Sequence, residues 1–188
     1  VKVNRCSRLE TGCHLSYFTL MEHATLNAAT PDAFKAAMRG FVGACSLITV
    51  GQGAEASGLV VTTGISLTAD PPMVLACINR TSSCWPLLGR YGSFGWSALG
   101  AGHQAVAERF SGKNGAKGSA RYEGGDWVEA ETGARLLADA PLAFDCRVDE
   151  MIERGTHSIL IGRVLHIRTQ PTGGALLYWN GQYRALPD

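Results

Sequence analysis

Four hydroxyl side chains, Thr62, Thr63, Ser66 and Thr68, crowd one short stretch of the sequence and lead into Asp70-Pro71-Pro72. An apolar run from Met73 to Ile78 then ends in Asn79-Arg80-Thr81-Ser82-Ser83. Arginine presents a fixed fork of donors that matches phosphate oxygens, and serine, threonine and asparagine donate or accept as required. Brought together, these groups suit a ligand with a phosphate and a flat, hydrogen-bonding ring. Hydroxyls alone have a plainer use, the satisfaction of backbone at a bulged strand end. The nearby Arg80 and Ser82 turn the balance towards a ligand. His157, at a strand start, is either a polar group of that site or a capped structural histidine. His103 and His166 read as surface or packing residues. No His, Cys, Asp or Glu spacing resembles a metal site, and no Gly-x-Ser-x-Gly elbow marks a hydrolase. Gly51-Gln52-Gly53-Ala54-Glu55-Ala56 lacks the third glycine and the following helix of a dinucleotide-binding turn.

A scaffold of moderate size must hold these residues. The chain has 188 residues, of which 46% are apolar and 18% charged, the composition of a globular domain with a real core. Its net charge of +1, with no basic stripe, argues against nucleic acid as a partner. No apolar run approaches the ~20 residues of a membrane span. The 23 glycines are scattered through turns, as in a β-rich fold with many corners. Cys6, Cys13, Cys45, Cys77, Cys84 and Cys146 form no Cys-x-x-Cys pair, and no secretory leader is visible. A reduced, cytoplasmic protein is the expectation.

Residues 1–29 lack sustained periodicity and are expected to be a loose arm, or an over-extended reading frame with its natural start at Met21. The ordered domain is expected over 30–188. Thr30-Pro31-Asp32 reads as a helix start, and Phe34, Ala37, Met38 and Phe41 recur at helical spacing, which predicts an apolar face laid on the domain. Strands are predicted at Ala44–Val50, Leu59–Thr63, Ser66–Thr68, Met73–Asn79 and Phe94–Leu99. Helical turns are predicted at Cys84–Arg90 and Gly102–Phe110. The Gly-, Lys-, Ser- and Arg-rich stretch 111–126 reads as a mobile surface loop. Leu142, Phe144, Cys146 and Val148 alternate, so one face of that strand should be buried. In the long strand His157–Thr169 the buried row should be Ile159, Ile161, Leu165 and Ile167, broken by Arg163. Tyr178 to Tyr183 forms a hairpin end, whose Trp179 and Tyr183 suit packing or dimer contacts. Trp85 suits either the ligand or the core. Strands outnumber helices and are joined by short turns, which predicts an antiparallel barrel or sandwich with helices packed outside.

Four blocks of this sequence, in order, resemble the flavin reductases that serve as small components of two-component flavin-dependent monooxygenases. The blocks are Phe34–Val50, Gly58–Ser83 with its Asp-Pro-Pro and Asn-Arg-x-Ser, Gly92–Leu99 with Gln104 and the helix to Gly112, and Gly155–Val164 with the Leu177–Arg184 tail. The resemblance covers about residues 31–187. It implies a mainly β fold, a split (Greek-key) antiparallel β-barrel with a few peripheral helices, that binds FMN, with FAD as the alternative. It implies hydride transfer from NADH to the flavin, a homodimer, and delivery of reduced flavin to a flavin-dependent monooxygenase component. Carried over by position, Ala44, Cys45 and Ser46 would line the flavin ring. Thr62, Thr63, Ser66 and Thr68 would hydrogen-bond the ring edge, ribityl chain and phosphate. Asn79, Arg80, Ser82 and Ser83 would take the phosphate side, and His157 the nicotinamide. The chain departs from the family pattern at Val60-Val61-Thr62, where relatives carry Thr-Ala-Ser or Asn. It departs again at Gly64, where they carry a bulky residue, and at Trp96-Ser97. Two alternatives share the fold: a flavin-dependent reductase of a corrinoid or metal chelate, and a flavin- or haem-binding module without turnover.

Overall fold

The computed structural model describes residues 26, 28–171 and 173–188. The arm expected over 1–29 therefore falls almost wholly outside the described residues. The chain divides into two units, 1–36 and 37–188. Helix α1 (Pro31–Met38) begins as its residues dictate, with Thr30 Oγ1 accepting the Ala33 N–H at 3.2 Å. Among the described residues, the apolar face predicted to be covered is exposed. None of its residues is buried, and Phe34 and Phe41 are 63% and 68% exposed. An apolar stripe shows that a face can be covered, not what covers it.

From residue 43 onward, turns at short intervals cut the chain into strands. In order these are β1 (Gly43–Ala44), β2 (Ser46–Val50), β3 (Ser57–Val61), β4 (Ile65–Ala69), β5 (Pro72–Asn79), helix α2 (Trp85–Tyr91), β6 (Ser93–Ala98) and helix α3 (Gln104–Ser111). There follow β7 (Trp127–Glu129), β8 (Arg135–Leu137), β9 (Leu142–Arg154), β10 (His157–Thr169), β11 (Ala175–Trp179) and β12 (Gln182–Leu186). Seven strands form one antiparallel sheet in the order β3-β2-β6-β9-β10-β5-β4, flanked by smaller sheets β1-β11-β12 and β7-β8. The large sheet bends until β3 nears β5, but no ladder joins them. The Thr63 hydroxyl spans the split instead, accepting the Cys77 N–H at 3.0 Å and donating to the Cys77 carbonyl at 3.4 Å. The protein is the expected split antiparallel barrel with peripheral helices.

Period-two alternation sends the side chains of β2 both ways, and all five of its residues are buried. Ile48 and Val50 join Val61, Ala76, Ile78, Phe94, Trp96, Cys146 and Leu160 in one cluster, the barrel interior. Leu47 joins Cys45, Leu99, Phe110, Tyr122, Leu137 and Leu176 in a second, under α3 and the smaller sheets.

Three expectations are corrected. The segment 111–126 is anchored, because Gly118–Tyr122 forms a 3₁₀ turn whose buried Tyr122 ring packs on Phe110 and Trp127 at centroid distances of 5.1 and 4.7 Å. The Tyr122 hydroxyl donates to the Ser57 carbonyl at 2.6 Å and Arg121 donates to that of Gly58. In β10 the buried row is Ser158, Leu160 and Gly162, not the isoleucines. Phe94 lies so close to Gly162 that any Cβ there would collide with its ring, and bulges shift the register beside Gly162 and after Val164. In β9 both faces are covered, since Ala143 and Asp145 are buried as well as Cys146. Asp145 is satisfied by the Thr132 N–H at 3.1 Å and the Thr132 hydroxyl at 2.5 Å.

The departures at Gly64 and Trp96 prove to be one feature. A Cβ at position 64 would run into the Trp96 indole. The tryptophan fills from β6 the space that a bulky residue 64 would fill from the β3–β4 turn.

Candidate functional site

Among the described residues, two hollows adjoin the strands that carry the candidate residues, and the turn between β3 and β4 divides the hydroxyl run, with Thr62 and Thr63 on one side and Ser66 and Thr68 on the other. The first, of about 370 Å³, is walled by Ala44, Ser46, Gly64, Ser66, Thr68, Trp96 and Phe144 among others and is almost wholly apolar. Ile65, Leu67 and Ile167, on the strands around it, are 58%, 45% and 62% exposed. The Thr68 hydroxyl is engaged locally, with its Asp70 backbone partners at 3.3 Å.

The second is a polar groove along β3, made of three compartments that meet on Val60. The largest, about 480 Å³, is lined by Thr81, Ser82, Ser83, Ser111, Lys117 and Arg121. A second, about 260 Å³, brings Thr62, Thr63, Cys77, Asn79 and His157 together. The third, about 230 Å³, is lined by Thr62, Ser111, Lys113, Tyr178 and Tyr183. The ladder explains how residues so far apart in sequence meet: β5 pairs with β10 so that Asn79 stands opposite His157.

The turn after β5 holds the largest compartment in shape. Asn79 Oδ1 accepts both the Thr81 N–H and the Thr81 hydroxyl at 2.9 Å, which leaves the Asn79 amide NH₂ as its donor to a ligand. Ser83 shares a 2.8 Å hydrogen bond with Ser57. Ser82 Oγ is buried and, among the described residues, has no partner. Leaving such a group unpaired costs about 1–3 kcal/mol, and it shares its compartment with Lys117 and Arg121. A phosphate fits that donor set. Arg121 spends part of its fork on the Ala116 and Gly58 carbonyls, which fixes the guanidinium in place.

Arg80 and Cys45 are not brought to the groove. Arg80 pairs with Glu153 at 2.8 Å, donates to the Gly155 carbonyl and lies over the Trp85 ring. Trp85 itself donates to Ser158 at 2.8 Å and packs on the barrel interior, which answers its open alternative. Cys45 lies in the outer core, where burial pushes its thiol up to about 11 and keeps it protonated and inert. His157 is exposed, with Nδ1 2.8 Å from the Thr156 hydroxyl. The cations that sequence reasoning missed are Lys113, Lys117 and Arg121. Their signal was present as three charges spaced through a glycine-rich stretch beside Ser111, which composition alone presents as a solvated loop.

Comparisons with known proteins bear on the family and the fold. A family model described as the flavin reductase like domain matches residues 38–187. The chain is 37% identical over 161 residues to the FMN reductase (NADH) RutF of Pseudomonas syringae pv. syringae, covering 86% of this chain and 89% of that protein. Among solved structures it resembles BorF, the flavin reductase component of a bacterial two-component tryptophan halogenase. That likeness has a TM-score of 0.77 at 29% identity, over 85% of this chain and 99% of the other. It also resembles the NADH:FAD oxidoreductase SgcE6 of Streptomyces globisporus C-1027 in complex with NAD and FAD fragments. Here the TM-score is 0.76 at 25% identity, over 85% of this chain and 94% of the other.

Proposed function

The chain belongs to the flavin reductase family, and from that premise we propose that the β3 groove binds FMN and NADH and carries hydride transfer between them. The observation that carries this reading is the buried, unpartnered Ser82 hydroxyl in a compartment flanked by Lys117 and Arg121. A single anionic group completes that compartment, which favours FMN, with one phosphate, over FAD. A flavin held there would supply the redox chemistry, as acceptor of hydride from a nicotinamide bound beside it.

The residues have definable tasks. Lys117, Arg121 and Ser82 hold the phosphate with charge-assisted bonds. Thr62 and the Asn79 amide supply donors along the floor, and Thr63 is occupied in bridging the split. His157, opposite Asn79 on the ladder, orients the nicotinamide nucleotide. None acts as a strong acid or base, because hydride transfer demands proximity and alignment rather than proton abstraction. Reduced flavin then passes to a monooxygenase or halogenase, as the relatives' partners suggest. The apolar hollow, with Ile65, Leu67 and Ile167 beside it, suits the face of a second copy in a homodimer.

The deciding experiment is NADH oxidation by purified protein with FMN, with FAD and with no added flavin. Saturable activity that requires free flavin is expected, with the lower KM for FMN. Inactivity in protein that still binds flavin would transfer the function to another acceptor, such as a corrinoid or metal chelate, or to a binding module.

A further inference from the structure

Hydride transfer carries two electrons and one proton. A neutral flavin ring that accepts it from NADH therefore becomes a monoanion, as the nicotinamide becomes a cation and departs. The groove must meet a negative charge that is absent before the reaction. Val60 offers no polar atom where the family pattern has a threonine, and the Thr63 hydroxyl is spent on Cys77. The third compartment holds the cation that can answer. Helix α3 is capped by Gly112, and the chain turns so that the Lys113 ammonium lies over the Tyr183 and Tyr178 rings, 5.2 and 5.7 Å from their centroids. Both rings present their negative faces to it without neutralising its charge. No carboxylate lies within 4.0 Å of Lys113 among the described residues. Burial holds the Tyr183 hydroxyl up at about 12, so that ring adds no competing anion. This compartment meets the one containing His157 on Val60 and Thr62 and the largest one on Val60 and Ser111, while Lys117 and Arg121 line only the largest.

We propose that Lys113, steadied by Tyr178 and Tyr183, is the electrostatic group that stabilises the reduced flavin ring. On this reading Lys113 serves the ring, while Lys117 and Arg121, which line only the largest compartment, serve the phosphate. The inference rests on the flavin reading of the groove. Its test is equilibrium binding of FMN and of riboflavin, which lacks the phosphate, in oxidised and dithionite-reduced form, to the wild type, Lys113→Met and Lys113→Arg. Lys113→Met should weaken binding of the reduced form relative to the oxidised form by about tenfold at low salt, equally for both ligands, and the difference should shrink as salt is added. Lys113→Arg should keep the redox preference. Equal loss of both redox forms of FMN with riboflavin untouched would make Lys113 a phosphate ligand and overturn the proposal. So would a Lys113→Met protein whose redox preference is unchanged. A wild type that binds neither flavin in either state would instead sink the flavin reading itself.

Discussion

The two hollows are built from the same few strands, yet they differ in almost every chemical respect. One receives Ser46, Ser66 and Thr68 among apolar walls. The other receives Thr62, Asn79, Ser82 and His157 together with three cations from a segment far along the chain. The difference teaches that a dense run of hydroxyls does not define a site. The β3–β4 turn divides the run between two hollows, and what would mark a ligand side is uncompensated donors and positive charge.

Substitutions can break this contrast. The largest effect should follow Lys117→Ala, which removes a charge-assisted contact worth about 1.5–3 kcal/mol and so weakens FMN binding roughly 10- to 100-fold. Fluorescence titration should show riboflavin affinity unmoved, and an equal loss for both ligands would place the phosphate elsewhere. Ser82→Ala should act with opposite signs. Denaturant unfolding of the flavin-free protein should show a gain of about 1 kcal/mol, because a buried unpaired hydroxyl is gone. FMN affinity should fall about tenfold, and a loss of stability would mean the hydroxyl has a partner already. His157→Ala, losing one hydrogen bond, should raise the KM for NADH about fivefold while FMN affinity stays within about twofold.

Alkaline pH probes two buried groups, Cys146 in the barrel interior and Tyr183 in the wall of the third compartment. Burial raises Cys146 from 9.0 to about 12 and Tyr183 from 10.0 to about 12. Both groups then hold their protons in the folded state after the unfolded chain has lost them. Their stabilising contribution is complete below pH 9 and declines as pH rises from 9 towards 12. Urea midpoints should be level up to about pH 8.5 and fall beyond it. The smallest effect should come from Ser66→Ala and Thr68→Val, which should leave FMN affinity within about twofold because local backbone bonds or the apolar hollow occupy them. A tenfold loss in either would merge the two hollows into one site.

Much of the fold was legible in the sequence, since strand positions follow from apolar runs and turn residues. The β10 face was misassigned because period-two counting treats Gly162 as a gap, whereas its missing side chain is what admits Phe94. The site was legible where neighbours in sequence are neighbours in space, as at Asn79 to Ser83. Arg80 misled because an arginine's reach lets a nearby carboxylate, Glu153 on another strand, claim it. Lys117 and Arg121 were hidden because only the burial of Tyr122 reveals that their loop is pinned against β3.

Gly64 and Trp96 carry a consequence for descent. They share one volume, so neither position can be inherited independently of the other. Bulk at 64 added first would strike the indole. Bulk removed first leaves a void, at a cost of about 3–5 kcal/mol for a side chain of that size, within the roughly 5–15 kcal/mol reserve of a folded domain. A lineage that exchanged a large residue on the β3–β4 turn for a tryptophan on β6 therefore had one passable order of events, with the glycine arising first and the tryptophan closing the gap. Any return of bulk to position 64 would have to begin at Trp96.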